Sequence, residues 1–364
     1  MTNNPIPDIK KIAVLRANAL GDFIVTLPAL EALRNAYPHA EIILLGKEWH
    51  KTFLEPKRCA IDRVMVIPVS NGLREENGKS ENKEDLEIFF NQIRDEKIDV
   101  AIHFHGNGKS ANSFINKLGA RLTAGLYTEG AEKLSFMLPF YYYQNEMVRY
   151  LEVVDMLGAT TGILEPKLEV HSLDITEADV FMDEMKLPEN FIVLHPVATD
   201  IRRMWPGENF AHLADKLNLF GLQPVFSGAK EDVDFINQIR AQMKTFAPDT
   251  CGKLSLRGLT GLLSKALAVV SSDTGPLHLA RAVNTKTVGI HWAPNLINWG
   301  PLTRGRHRPV VSWDMQCPFC GIIPNDPYPY QPHLDDCKHE ISFVRNITVD
   351  QVWKELMLIV NSFY

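Results

Sequence analysis

Short β-rich runs alternate with helical patterns twice along this chain, and that rhythm limits the fold more than any single residue does. In the first half, "KIAVLR" (11–16), "EIILL" (41–45), "RVMVIPV" (63–69), "VAIHF" (100–104) and "LTAGL" (122–126) read as strands. Phe23, Ile24, Leu27, Leu30 and Leu33 recur at helical spacing, and "LEIFFNQIRDE" and "ANSFINKLGA" fit further helices. Such alternation builds a parallel sheet with helices on both faces. The rhythm pauses over 159–175, which suits a linker, and restarts with "FIVLH" (191–195). "GENFAHLADKLNLF", "QPVFSG", "EDVDFINQIRAQM", "ALAVVSS", "LHLARAV" and "TVGIHW" follow in the same order. Residues 70–83 are a polar loop, 315–340 an irregular loop, and the last segment a helix with a cap at Thr348.

The expected fold is therefore α/β, with two Rossmann-like units whose parallel sheets face a central cleft. The length of 364 residues agrees with two domains at roughly 100–200 residues each. The boundaries are 1–170, 171–345, and a closing helix at 346–364. With 38 basic and 44 acidic residues the formal charge is −6, which argues against a nucleic-acid binder. No run reaches the roughly 18 apolar residues of a membrane span, and the N-terminus does not read as a signal peptide. Five cysteines, an odd number in a long chain, fit a reducing, cytoplasmic setting.

Ligands of open parallel sheets bind beyond the carboxyl ends of the strands, so chemistry is sought there. One such end is "SSDTGPLHLARA" (271–282). Gly275 keeps the turn bare, Pro276 suits the first helical turn, and the helix start offers amides to an anion. Thr274 adds a hydroxyl and His278 stands one turn on. A plain helix cap at Asp273 or Thr274 explains the same residues. Asp-Thr-Gly also marks the all-β aspartic proteases, but those need two such loops, and here one loop sits in a β/α rhythm. In "RANALGDFIVTLPAL" (16–30), Arg16 closes a strand and Asp22 opens a helix, as a cap or as a carboxylate able to take a proton. Arg202 and Arg203 in "LHPVATDIRRMWP" could clamp phosphate oxygens, and Glu231 in "FSGAKED" could accept from ribose hydroxyls. "HFHGNGKS" (103–110) fails as a phosphate-binding P-loop, because His103 stands where the first glycine is needed. It reads as a glycine turn with Asn107 and Lys109 on the acceptor side, and His103 and His105 as satisfied structural histidines.

Together "RANALGDFIVTLPALEAL", the Trp-Pro of "RRMWP", the "SGAKE" turn and "SSDTGPLHLARA" resemble the bacterial ADP-heptose:lipopolysaccharide heptosyltransferases, glycosyltransferase family 9. The resemblance implies a GT-B fold, with the closing helix returning to the first domain. It implies inverting, metal-independent transfer of a sugar, a heptose before others, from a nucleotide-diphosphate donor. No cofactor is expected beyond that substrate, ADP-heptose. On this reading Asp22 is the base and Arg203 acts on the donor phosphates. Arg202, Glu231, Asp273, Thr274, Gly275, Pro276 and His278 complete the donor site, with Asp273 orienting sugar hydroxyls. Arg16, Asn18, Gly21, Asn107 and Lys109 line the acceptor side. The partners implied are the nucleotide sugar and a glycan or lipid-linked acceptor. A lipid-linked acceptor would hold the protein peripherally at the inner membrane face, although no basic amphipathic helix stands out. An epimerase or hydrolase on the same fold, or a non-catalytic sugar-nucleotide-binding protein, are the alternatives. Cys317, Cys320, Cys337 and His339 have part of a zinc-site spacing, but its second half is irregular. They are read as packed, reduced thiols beside a histidine, and no metal is assigned.

Overall fold

The computed structural model describes residues 4–54, 57–324 and 337–361. The chain divides into two compact units, Met1–Glu169 and Val170–Tyr364. The first is built on strands β1 (Lys11–Leu15), β2 (Glu41–Gly46), β3 (Arg63–Val66), β4 (Val100–His103), β5 (Leu122–Tyr127) and β6 (Phe136–Pro139). They form one parallel sheet in the order β3-β2-β1-β4-β5-β6. The second unit carries β7 (Phe191–His195), β8 (Gln223–Phe226), β9 (Ala268–Ser272), β10 (Thr287–Trp292) and β11 (His307–Ser312), parallel in the order β11-β10-β9-β7-β8.

Helices cover both faces of such sheets, so the strands read as unbroken apolar runs. In β1 every residue after Lys11 is buried, and β7 and β10 are buried throughout. In each sheet the chain changes direction once. β1 is flanked by β2 and β4, and β7 by β8 and β9. The loops leaving β1 and β4 diverge to opposite faces, as do those leaving β7 and β9, and each divergence opens a crevice.

Two edge strands were absent from the sequence reading. β6 ends at Pro139 and β11 contains Pro309, and an edge position tolerates the missing donor. The helix read through Phe23 to Leu33 is two helices, Leu20–Ile24 and Leu27–Ala36. The Thr26 hydroxyl donates to the Phe23 carbonyl at 2.6 Å, across the break between them. The stretch read as a linker ends inside a further helix, Ser172–Met185. It packs on the helix Leu256–Lys265 so closely that a Cβ on Gly261 would lie 2.1 Å from the Asp174 carbonyl oxygen. The closing helix, Val349–Val360, starts at the expected Thr348 cap. Its buried residues Val352, Leu356 and Ile359 join the second unit's own core, and it packs on β9, β10 and β11. Among the described residues, no helix is long and apolar enough to cross a membrane.

Candidate active site

The crevice of the first sheet is organised by a buried arginine. Arg16 follows β1 directly, and its amide donates to the Leu45 carbonyl at 3.1 Å, so the residue leaves the sheet in register. Its side chain is only 4% exposed. Nη2 meets Asp22 Oδ1 at 2.9 Å, Nε donates to the Asp22 carbonyl at 3.0 Å, and Nη1 donates to the Phe104 carbonyl beyond β4. Asp22 is the third residue of the helix Leu20–Ile24, and its Oδ2 accepts from the Ala19 amide at 3.2 Å. The carboxylate is thus a helix cap and a salt-bridge partner at once, yet 28% of its side chain is exposed. Arg16 is therefore a scaffold that aims Asp22.

Tyr150 stands beside this pair, with the guanidinium carbon 5.4 Å from its ring centre. Burial pushes its phenol well above the usual value, so it remains protonated and donates to Glu146. Asn18 is half-buried, and its Oδ1 is buried with no hydrogen-bond partner. Gly21 is partly exposed next to Asp22. Beyond β4, Gly108 has φ +87°, and a Cβ there would lie 2.3 Å from the Leu126 carbonyl oxygen. Asn107 Oδ1 accepts from the Lys109 amide at 3.2 Å, which closes the turn and leaves the Lys109 side chain exposed. His103 and His105 are buried and structural. Burial lowers their pKa values to about 4 and about 3, and they bond to the backbone of Leu126 and Gly72.

In the second unit the loops after β7 and β9 meet. Asp273 is 2% exposed and faces inward. Asn295 Nδ2 donates to its Oδ2 at 3.0 Å, while His278 Nε2 lies 3.3 Å and His291 Nδ1 3.6 Å from Oδ1. Burial alone would raise the Asp273 pKa, but His278 and the positive charge around it hold the carboxyl well below the usual range. Burial also lowers His291 to about 4, so at neutral pH it is an uncharged ring. Held by Asn295 and facing His278 and His291, Asp273 anchors its loop.

That anchoring places the helix Gly275–Ala282. Thr274 is its extended N-cap, Pro276 lies in the first turn and has no amide hydrogen, and the amides of Leu277 and His278 donate to the Thr274 carbonyl. An anion at this helix start would thus meet the amides of Thr274 and Gly275, fewer than the sequence suggested. The Ser271 hydroxyl donates to the Ser272 carbonyl, which makes the Thr274 hydroxyl the donor in its 3.2 Å contact with Ser271.

The two adjacent arginines have different partners. Arg202 is gripped by Asp200 through Nε at 2.9 and 3.0 Å and Nη2 at 2.7 Å. Arg203 points the other way, with Nη1 donating to the Asp273 carbonyl at 3.2 Å and lying 4.0 Å from Oδ2. Trp205 locks this loop down: it is fully buried, its amide reaches Ser272 Oγ at 3.3 Å, and its indole donates to the Ile347 carbonyl at 2.8 Å. Glu231 is exposed on the turn Lys230–Asp232 beyond β8, where Asp232 accepts from the Ala229 amide at 2.7 Å.

The fold thus gathers the predicted residues into two groups, one at each sheet's change of direction, with Glu231 on the next strand end. Sequence reasoning missed Tyr150 and Glu146 behind Arg16, and Asn295 and His291 behind Asp273. Only the (i, i+4) spacing of Glu146 and Tyr150 left a trace, and it reads as an ordinary helix face.

Residues 88–319 match the model of glycosyltransferase family 9 (heptosyltransferase). Lipopolysaccharide heptosyltransferase 3 of Escherichia coli is 24% identical over 295 residues, covering 77% of this chain and 83% of its own length. The crystal structure of a glycosyl transferase family 9 protein from Veillonella parvula DSM 2008 has a TM-score of 0.80 at 22% identity, covering 99% of this chain and 100% of that one. The ADP-heptose lps heptosyltransferase II of E. coli has a TM-score of 0.70 at 18% identity, covering 97% and 98%. The architecture they share with this chain is GT-B. With well over half of its length matched, the chain belongs to glycosyltransferase family 9, the heptosyltransferases.

Proposed function

We propose that this glycosyltransferase moves a heptose from ADP-heptose to a sugar of the lipopolysaccharide core, in a metal-independent, inverting displacement. The acceptor hydroxyl oxygen bonds to the anomeric carbon while the bond from that carbon to the phosphate oxygen breaks. The electron pair leaves with ADP, and the hydroxyl proton passes to Asp22. Attack from the face opposite the leaving group inverts the anomeric centre. The sugar carries positive charge on the way, as in other glycosyl transfers. The leaving diphosphate gains negative charge, which Arg203 and the amides of Thr274 and Gly275 would stabilise. The Thr274 hydroxyl joins them once it turns from Ser271.

The observation that carries this reading is the contact between Arg203 Nη1 and the Asp273 carbonyl at 3.2 Å. It lays a guanidinium over the start of a helix, and both favour an anion. Asp22 supports the acceptor half, since it is fixed by Arg16 and still reaches solvent. Adenine as the base, heptose as the sugar and lipopolysaccharide as the acceptor are carried over from relatives named for these substrates. A cytoplasmic setting, peripheral to the inner membrane, is part of the same proposal.

Thermal unfolding with ADP, UDP, GDP and CDP, each with and without magnesium, tests the donor half. A ligand at about 100 times its dissociation constant adds roughly 2.7 kcal/mol, enough to shift the midpoint. ADP alone should shift it, equally with and without magnesium. A shift with UDP instead, or with none of the four, would remove the donor assignment. Turnover of the donor without any acceptor would identify an epimerase or hydrolase.

A further inference from the structure

The loop after β11 contains Cys317-Pro-Phe-Cys320-Gly321, and Cys337 and His339 follow beyond the next segment. In space these four come together. One ligand atom from each, three sulfurs and a ring nitrogen, all lie within 4.8 Å of one another. Cys320 and Cys337 have their sulfurs 3.6 Å apart, and His339 Nδ1 stands 3.6 Å from Cys317 Sγ and 3.8 Å from Cys337 Sγ. A tetrahedral zinc with bonds of about 2.3 Å to sulfur and about 2.0 Å to nitrogen would separate its ligands by about 3.8 Å (S to S) and about 3.6 Å (S to N).

The turn is also shaped for a metal thiolate. Gly321, at φ +72°, lets the chain fold back, with its amide donating to the Cys317 carbonyl and the Cys317 amide to the Ile322 carbonyl, each at 2.8 Å. All three thiols are free.

We propose that Cys317, Cys320, Cys337 and His339 bind one structural zinc ion. Three thiolates and an imidazole select a soft divalent metal, and four protein ligands leave no open position for catalysis. The ion ties the loop after β11 to the segment leading to the closing helix. That segment braces the arginine turn: Ser342 Oγ donates to the Met204 carbonyl at 2.6 Å and the Phe343 amide to the Arg202 carbonyl at 2.9 Å. The zinc thereby positions Arg203, an effect that rests on the donor reading above. Zinc binding itself does not.

Metal analysis of the untagged full chain tests the proposal. About one zinc per chain is expected, absent from Cys320→Ser/Cys337→Ser. Cobalt added to the chelated wild type should give the thiolate charge-transfer and visible bands of a tetrahedral site. Chelation should lower the melting temperature of the wild type, leave that of the double variant unchanged, and weaken ADP binding to the wild type. A folded wild type with thiols equally reactive with and without zinc would overturn the site. A disulfide between two of these cysteines, or iron in place of zinc, would overturn the assignment. Zinc whose removal leaves ADP affinity unchanged would overturn the link to Arg203. Stoichiometric zinc with no ADP binding in any form would instead count against the donor reading.

Discussion

Arg16 Nη2 and Asp22 Oδ1 lie 2.9 Å apart, one end of the pair buried and the other open to solvent. A buried cation on the strand end therefore aims an exposed carboxylate on the helix start. Asp22→Asn keeps an oxygen for one of the Arg16 and Ala19 donors, turns an NH2 group toward the other, and cannot take a proton. Turnover should fall about 10²–10⁴-fold while the chain stays folded and ADP affinity holds. Single-turnover rates alongside ADP titration measure both. Near-wild-type turnover would mean that another group is the base.

The two arginines separate cleanly. Arg203→Met should lower turnover about 10²–10³-fold, because its guanidinium faces the proposed diphosphate. Arg202→Met breaks a pair with Asp200 at the edge of the loop, so its effect should stay below about tenfold. Parallel kinetics on the two variants decide the matter, and equal losses would contradict it.

The buried contacts of Asp273 predict a large part in stability. Asp273→Asn removes a buried charge that faces His278, His291 and Arg203. Breaking such a network costs about 3 kcal/mol or more. Urea unfolding of the unliganded variant should show this loss. Unchanged stability with a raised KM for donor would return Asp273 to direct sugar contact.

Stability should also fall in mild acid. His103, His195 and His291 are buried, and burial lowers each to about 4. The unfolded chain takes up these protons near pH 6.5, so it gains on the folded form as pH drops from there. Stability is full above about pH 6.5 and declines toward about pH 4, with each histidine contributing up to about 3 kcal/mol. Urea midpoints at pH 7.5, 6 and 5 check this, and a flat profile would contradict it.

Much of the fold was legible because a parallel strand buried on both faces leaves an apolar run that polar helix faces interrupt. The edge strands were not. "FMLP" and "HRPVVS" each contain a proline that counts against a strand until its edge position is known. The candidate site residues drew notice at strand ends, where Arg16, Asp22, Asp273 and Arg203 stand out against their apolar surroundings. Their supports were not, because they arrive through the fold. Asn295 is 22 residues from Asp273, and Tyr150 lies far along the chain from Arg16. Which arginine faces the donor loop was undecidable from "IRR", since the answer lies in Asp200.

The proposed reaction is acceptor-dependent transfer without a catalytic metal. The direct test is ADP release from ADP-heptose in EDTA, with and without a heptose-deficient lipopolysaccharide core, with the anomeric configuration of the product read by NMR. Short-term exposure keeps the proposed structural zinc in place, and zinc content is measured on the same sample. ADP release is expected only with acceptor present, together with an inverted linkage, and both should be lost in Asp22→Asn. ADP release without acceptor, a retained configuration, or restoration of activity only by magnesium would contradict it.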